Sequence, residues 1–255
     1  MHINYKEEIT DLEQKISFSG KFWQFVRFTV VTGMIFSVSF FALNFSAYKQ
    51  IFDGVINPDA QAKAQENLEE AMGEGNVDSS LLLPVLPSEK DSRKQFVWPD
   101  MPIAPTDNRL VVPKLGKSVP LVAMSTEYIE GENWNELEKQ IQDGLRDGVV
   151  HYPGTAKPGQ YGNVFLTGHS SYYPWDSGQF KDVFATLSQL EAGDRYYVYY
   201  DQIKYIYEVV DKKEVSPSDV TVLEQPHDKK TSTLMTCTPV GTTLRRLIIH
   251  AEQVS

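Results

Sequence analysis

The sequence predicts a mainly β domain, closed or nearly closed into a barrel, behind one N-terminal membrane helix and an acidic stalk. Three observations predict it. Residues Phe28 to Ala47 form a run of 20 residues without a charge. Tyr48 to Asp107 holds eleven acidic against five basic residues, and its later part is broken by prolines 84, 87, 99, 102 and 105. Beyond residue 108 come short runs rich in Val, Ile, Thr, Tyr and Phe, punctuated by Gly, Pro, Asp and Asn. That pattern is the mark of strands and turns, and many short strands with few helices favour closure, which removes exposed edges.

The apolar run is long enough to cross about 30 Å of hydrocarbon as a helix. Its membrane segment is placed at residues 25–47, after a tail of residues 1–24. Trp23 stands at its edge, where an interfacial aromatic belongs. The run exceeds the roughly 7–15 residues of a signal-peptide core, and no small-residue cleavage site follows, so an uncleaved anchor is expected. It is apolar all round rather than on one stripe, unlike a helix packed on a soluble core. Lys15, Lys21 and Arg27 precede it closely, and only Lys49 follows closely. The positive-inside rule therefore puts the N-terminus in the cytoplasm and the rest of the chain outside.

Residues 48–107 read as an extracellular stalk. It carries six of the chain's ten net negative charges. Asp59 to Gly73 has the alanine, glutamate and glutamine content of a short helix. The glycines and prolines beyond it call for extended, poorly packed chain. Such acidity argues against nucleic acid as a partner, which needs a basic patch.

Residues 108–255 form the folded domain. Strands are expected at Arg109–Val112, Val119–Ala123, Gly162–Thr167, Arg195–Tyr200, Lys204–Val210, Ser232–Cys237 and Leu244–Ala251. A short helix fits Asn135–Asp143, with Asn133 or Asn135 near its cap. A second fits Asp182–Leu190, ending before Gly193.

Chemistry concentrates on Cys237, the one cysteine in the chain. A lone thiol makes no internal disulfide and no cysteine zinc cage. A single cysteine is most often a small buried apolar residue. Here Thr233 to Cys237 has strand character, and Pro239 and Gly241 break it. The thiol is thus expected at a strand end beside a turn, where rigid scaffold meets accessible surface. Far upstream lies a glycine-framed histidine, Gly168-His169-Ser170. A cysteine with a distant histidine to share a proton is what nucleophilic thiol enzymes need. Arg245 or Arg246 could hold the oxyanion formed when a thiolate attacks a carbonyl. Neighbours on a strand point to opposite faces, so only one of the two can serve, and alternation does not say which.

Four segments together resemble the sortases, cysteine transpeptidases of bacterial surfaces. TLMTCTPVGTTLRRLIIHAE resembles the family's Thr-Leu-x-Thr-Cys motif with an arginine on the next strand. GNVFLTGHSSYYPWD is similar to the strand ending in Gly-His. RLVVPKLGKSVPLV and GVVHYPGTAKPGQYGNV resemble earlier blocks, in the family's order, over about residues 105 to 255. Cys237 follows His169 by 68 residues. The loop Ser170 to Asp176 departs from the pattern, being aromatic where an arginine or threonine neighbour is usual.

The resemblance implies an eight-stranded sortase-type barrel. It implies Cys237 as nucleophile, His169 as proton partner and Arg246 as oxyanion-binding arginine. Arg245 then faces solvent, and His151, His227 and His250 are structural or surface residues. The implied reaction cleaves a motif resembling Leu-Pro-x-Thr-Gly in secreted proteins through a thioester. The acyl group then passes to an amine of the cell wall or of another protein. A thiol hydrolase of the same fold and a non-catalytic surface module are the alternatives. No cofactor is expected. Some sortases bind calcium through acidic loops, and Glu191, Asp194 or Asp176 could serve here, but solvated charge is the preferred reading of all three.

Overall fold

The computed structural model describes residues 5–57, 62–63, 65–68, 105–130 and 133–254. Most of the expected stalk, including residues 69–104, lies outside them. The chain divides into two compact units, Met1–Phe45 and Ser46–Ser255.

The first unit is helix α1, Tyr5–Leu43. Its segment Lys21–Leu43, 23 residues long, contains an 18-residue window of mean hydropathy 1.8, none of it buried against protein. The polar residues within it spend their hydrogen bonds on the helix itself. Thr29 Oγ1 donates to the Phe25 carbonyl at 3.0 Å and Ser37 Oγ to the Gly33 carbonyl at 2.9 Å. Asn44 Nδ2 donates back to the Phe40 carbonyl at 2.9 Å, and the helix stops there. Such back-bonding satisfies the polar groups without water. The charge-free run therefore divides at Asn44, and Phe45 opens a second helix, α2, Phe45–Ile56.

The second unit is a closed eight-stranded barrel in the order β1-β2-β3-β4-β7-β8-β6-β5, with β5 returning to β1. The strands are β1 Arg109–Val112, β2 Lys117–Ala123, β3 Val149–His151, β4 Gly162–Thr167, β5 Arg195–Tyr200, β6 Ile203–Val215, β7 Lys230–Thr238 and β8 Arg245–Gln253. Two pairs are parallel, β2 with β3 and β4 with β7. Parallel neighbours need a crossover. Between β2 and β3 it contains α3, Glu127–Glu130, and α4, Trp134–Asp147. Asn133 caps α4 by accepting from the Glu136 N–H. Leu137, Ile141 and Leu145 recur on one face of α4 and are buried with Val150.

The barrel interior holds Leu110, Val164, Leu166, Val198, Leu234 and Ile249, all fully buried. Tyr196 and Tyr207 stack inside it with ring centres 5.6 Å apart. Asp201 and Gln202 both have positive φ, 50° and 65°, as the tight β5–β6 turn requires.

The expected strands all form. β6 and β8 run further than expected because polar residues, such as Asp211 to Glu214, pair in the ladder. β3, three residues long, was too short to signal itself. The helix expected at Asp182–Leu190 is not α-helical. Turns lead into a single 3₁₀ turn at Leu187–Gln189. The Phe184 N–H donates to the His169 carbonyl across the fold, and local bonds such as Leu187 N–H to Phe184 O span three residues. Val183 to Leu187 are buried without a break, Ala185 and Thr186 included, which no single helical stripe would allow.

Candidate active site

Alternation along β7 sorts its residues. Leu234 points into the barrel, and Ser232 and Thr236 hydrogen-bond the carbonyls of Val164 and Gly168. Thr231, Thr233, Met235 and Cys237 therefore share the outer face. Across the β7–β8 ladder Cys237 is the Cα partner of Arg246, Met235 of Ile248 and Thr233 of His250. Partners across a ladder share a face, so Arg246 stands with the thiol. Arg245 pairs with Thr238 and turns away, where its Nε lies 3.3 Å from Glu214 Oε2.

The histidine comes from the other neighbour. β4 runs parallel to β7 with Thr167 opposite Met235. Two residues further along the chain in each case come His169, just past the end of β4, and Cys237. The Gly168 N–H donates to the Met235 carbonyl at 3.1 Å, and Thr236 Oγ1 donates to the Gly168 carbonyl at 2.8 Å. These bonds clamp the strand end just before the histidine. Gly168 is required by packing: a Cβ there would come 2.7 Å from Phe184 Cδ2 and 2.9 Å from Val183 Cγ1. Ser171 Oγ accepts from the Gly241 N–H at 2.9 Å, tying the loop after the histidine to the turn after the cysteine.

Three of the residues expected at the site are thus set side by side on one outer wall by three adjacent strands. Burial shifts two of them. The His169 pKa is pushed down to about 4, first by desolvation; Asp176 opposes the shift and Arg146 adds to it. Its Nε2 is buried and has no hydrogen-bond partner among the described residues. Burial pushes the Cys237 thiol up from its ordinary value, against the pull of the Arg246 charge. The resting pair is therefore a neutral thiol beside a neutral imidazole. Arg246 Nη1 donates to the carbonyls of Thr243 and Arg245.

The aromatic loop after His169 has a definite structure. Tyr172 stacks on the His169 ring, centres 4.5 Å apart at 24°. Tyr173 contacts Tyr172 edge-on, and Trp175 stacks on Tyr173 at 5.0 Å. Asp176 ends the loop. Its carboxylate accepts from the Gly178 N–H and lies 3.2 Å from Arg146 Nη2, which together hold it below the usual carboxylate range. Arg146, on α4, carried no sequence signal. The aromatic run did, as the point of departure from the family pattern.

From Cys237 the same outer face leads into a groove of about 480 Å³, lined by Thr233, His250, Lys213, Asn163, Val222 and Gln225. Its wall is the β6–β7 loop. Gln225 Oε1 accepts from the N–H groups of Ala156 and Asn163, and its Nε2 donates to the Asn163 and Leu223 carbonyls. One side chain thereby pins the loop across β4.

Of the other described histidines, His151 and His227 lie apart from this arrangement, and His250 is in the groove. His151 is buried, with Nε2 at 2.9 Å from the Ala156 carbonyl. His227 is exposed in the β6–β7 loop. The acidic residues considered for calcium each meet a cation or an N–H. Lys114 Nζ lies 2.6 Å from Asp194 Oδ2, Lys212 Nζ lies 2.5 Å from Glu191 Oε1, and Asp176 is bound as above. Among the described residues no cluster of three or more His, Cys, Asp or Glu side chains could hold a metal ion.

A family model described as the sortase domain matches residues 110–254. Over 149 residues the chain is 29% identical to sortase D of Bacillus subtilis, covering 57% of this chain and 63% of that one. It is 26% identical to sortase A of Bacillus anthracis, covering 57% and 59%. The match thus spans less than two thirds of either relative. Among solved structures, sortase C-1 from Actinomyces oris is 28% identical, with a TM-score of 0.47 over 58% of this chain and 73% of that one.

Proposed function

The chain belongs to the sortase family, and from that premise we propose that it is a membrane-held cysteine transpeptidase. Its substrates would be secreted proteins bearing a C-terminal motif that resembles Leu-Pro-x-Thr-Gly. Cys237 would attack the carbonyl of the threonine-like residue. His169 takes the thiol proton as the S–C bond forms and gives it to the departing amine as the peptide C–N bond breaks. An amine of a cell-wall precursor or of another protein subunit then attacks the thioester carbonyl, and the thiolate leaves. Arg246 would hold the negative oxygen of each tetrahedral intermediate, a task worth about 10²–10³-fold in rate. The groove along Thr233 and His250 suits the extended residues preceding the scissile bond. Anchoring through α1, with the N-terminus in the cytoplasm and the barrel outside, would raise the enzyme's effective concentration near tethered substrates.

The observation that carries this reading is the register that sets Cys237 opposite Arg246 on the groove face, beside the parallel strand β4 that leads to His169. The test is to incubate the detergent-solubilised full chain with fluorogenic sorting-type peptides, with and without amines. Amine-dependent ligation supports transpeptidation. Cleavage that no amine alters would make the chain a thiol hydrolase. No cleavage, with a thiol that resists alkylation until unfolding, would make it a non-catalytic module.

A further inference from the structure

Helix α2 has three faces. One is turned to the barrel: Ala47 is buried to 2% exposure, and Gln50 and Gly54 follow it at helical spacing. Hydrogen bonds hold the helix from Gln50 on that side and from Ser46 and Tyr48 on its flanks. Tyr48 Oη donates to the Val240 carbonyl at 3.3 Å, Lys117 Nζ donates to Gln50 Oε1 at 2.7 Å, and Ser46 Oγ donates to Asp182. A second, polar edge carries exposed Lys49 and Asp53. The third is an apolar stripe that nothing among the described residues covers. Phe45, Phe52, Val55 and Ile56 are 67, 60, 72 and 68% exposed. At 3.6 residues per turn they fall within one arc of about 100°, which also contains half-buried Tyr48, whose hydroxyl reaches back to the barrel. Single exposed apolar residues are ordinary, but two phenylalanines, a valine and an isoleucine aligned on one short helix are not.

The position of this stripe along the chain says what covers it. Only Asn44 separates α2 from the apolar span ending at Leu43. A helix of 12 residues is about 18 Å long. Whatever its tilt, its first turn therefore begins where the chain leaves the hydrocarbon. An amphipathic helix at that level buries its apolar side about 5–10 Å into the headgroup and acyl boundary.

We propose that α2 is an interfacial helix whose Phe45, Phe52, Val55 and Ile56 stripe lies in the outer leaflet while its opposite face holds the barrel. This rests on the reading of α1 as a membrane span. The partner is the lipid bilayer itself. Because Tyr48 grips the carbonyl of Val240, three residues beyond Cys237, the β7–β8 turn is tied to the same helix. The barrel is then seated on the bilayer with its cysteine end near the surface, instead of swinging free on a stalk.

The experiment uses the full chain carrying Cys237→Ala, so that one introduced cysteine can bear a nitroxide. Labels go at Phe52, Val55 and Ile56 on the stripe, at Asp53 on the polar edge, and at Ile35 within α1. Each protein is reconstituted in vesicles of phosphatidylcholine and phosphatidylglycerol. Collision with oxygen, which partitions into lipid, is compared with collision with a water-soluble nickel chelate. The three stripe positions are expected to give an oxygen-to-nickel ratio several-fold above that at position 53 and closer to that at position 35. Nickel-favoured stripe positions with an oxygen-favoured position 35 would overturn this inference and leave the anchor standing. Stripe positions shielded from both reagents would show that protein covers them, which also overturns it. A nickel-favoured position 35 would bring down the anchor reading itself.

Discussion

Cys237 and Arg246 are direct partners across the β7–β8 ladder, while Arg245, one residue earlier, pairs with Thr238 and reaches Glu214. One step of register decides which guanidinium can meet an oxyanion. Arg246→Ala is expected to slow cleavage by about 10²–10³-fold. Arg246→Lys should restore only part, because an ammonium lacks the planar fork. Arg245→Ala removes an exposed ion pair, a change of about 0–1 kcal/mol in stability, and should leave turnover near its starting value. If steady-state assays find Arg245→Ala dead and Arg246→Ala active, the register of β8 is wrong by one.

The thiol is raised by burial and lowered by the Arg246 charge. Alkylation of Cys237 by iodoacetamide should therefore accelerate with pH up to a midpoint above that of a free cysteine. Arg246→Ala should move that midpoint still higher, and Arg245→Ala should not. A midpoint unchanged by Arg246→Ala would mean that the guanidinium does not act on the sulfur.

His169 is neutral when folded down to about pH 4, whereas in the unfolded chain it takes a proton near 6.5. Its folded pKa is depressed. Its contribution to stability is thus fully present above pH 6.5 and is lost as pH falls through the window between these values. Imidazole NMR should show its titration near pH 4, and denaturant unfolding of His169→Phe should lose part of the wild-type decline across that window. A titration midpoint near 6.5 in the folded protein would contradict the burial described.

Tyr172 covers the His169 ring. Tyr172→Ala admits water and should raise the histidine's pKa toward its ordinary value, shifting the acid limb of the kcat/KM profile upward. Tyr172→Phe keeps the stack and should keep the profile. Identical profiles for all three proteins would remove Tyr172 from any part in setting the proton partner.

Gly168 leaves no room for a methyl group against Phe184 and Val183. Gly168→Ala should cost about 1–3 kcal/mol of stability by overpacking and should displace His169, lowering kcat more than it raises KM. Adding Phe184→Leu makes space and should recover part of both. Stability and rate unaffected by Gly168→Ala would show that the strand end is not held by this contact.

Much of this was legible in the residues themselves. Gly162–Thr167 and Arg195–Tyr200 formed strands over the very residues expected, because their branched and aromatic side chains are bounded by turn formers. The apolar span declared itself by length and lack of charge, and the thiol by being alone beside Pro239 and Gly241. Other elements were silent for physical reasons. β3 is too short to show a period, and the outer edges of β6 and β8 carry charges that read as loop until they are paired. The segment Asp182–Leu190 looked helical because its residues tolerate a helix. Its Phe184 N–H is taken by the His169 carbonyl instead, a contact between residues no local pattern connects. The choice between Arg245 and Arg246 was likewise beyond alternation alone, since a period of two gives two equal answers until a partner strand sets the phase. Sequence determined which groups were available: one thiol, one glycine-framed histidine, two adjacent arginines. Tertiary structure decided which of them share a face, because register, burial and the field of Asp176 and Arg146 arise only when β4, β7, β8 and α4 are brought together.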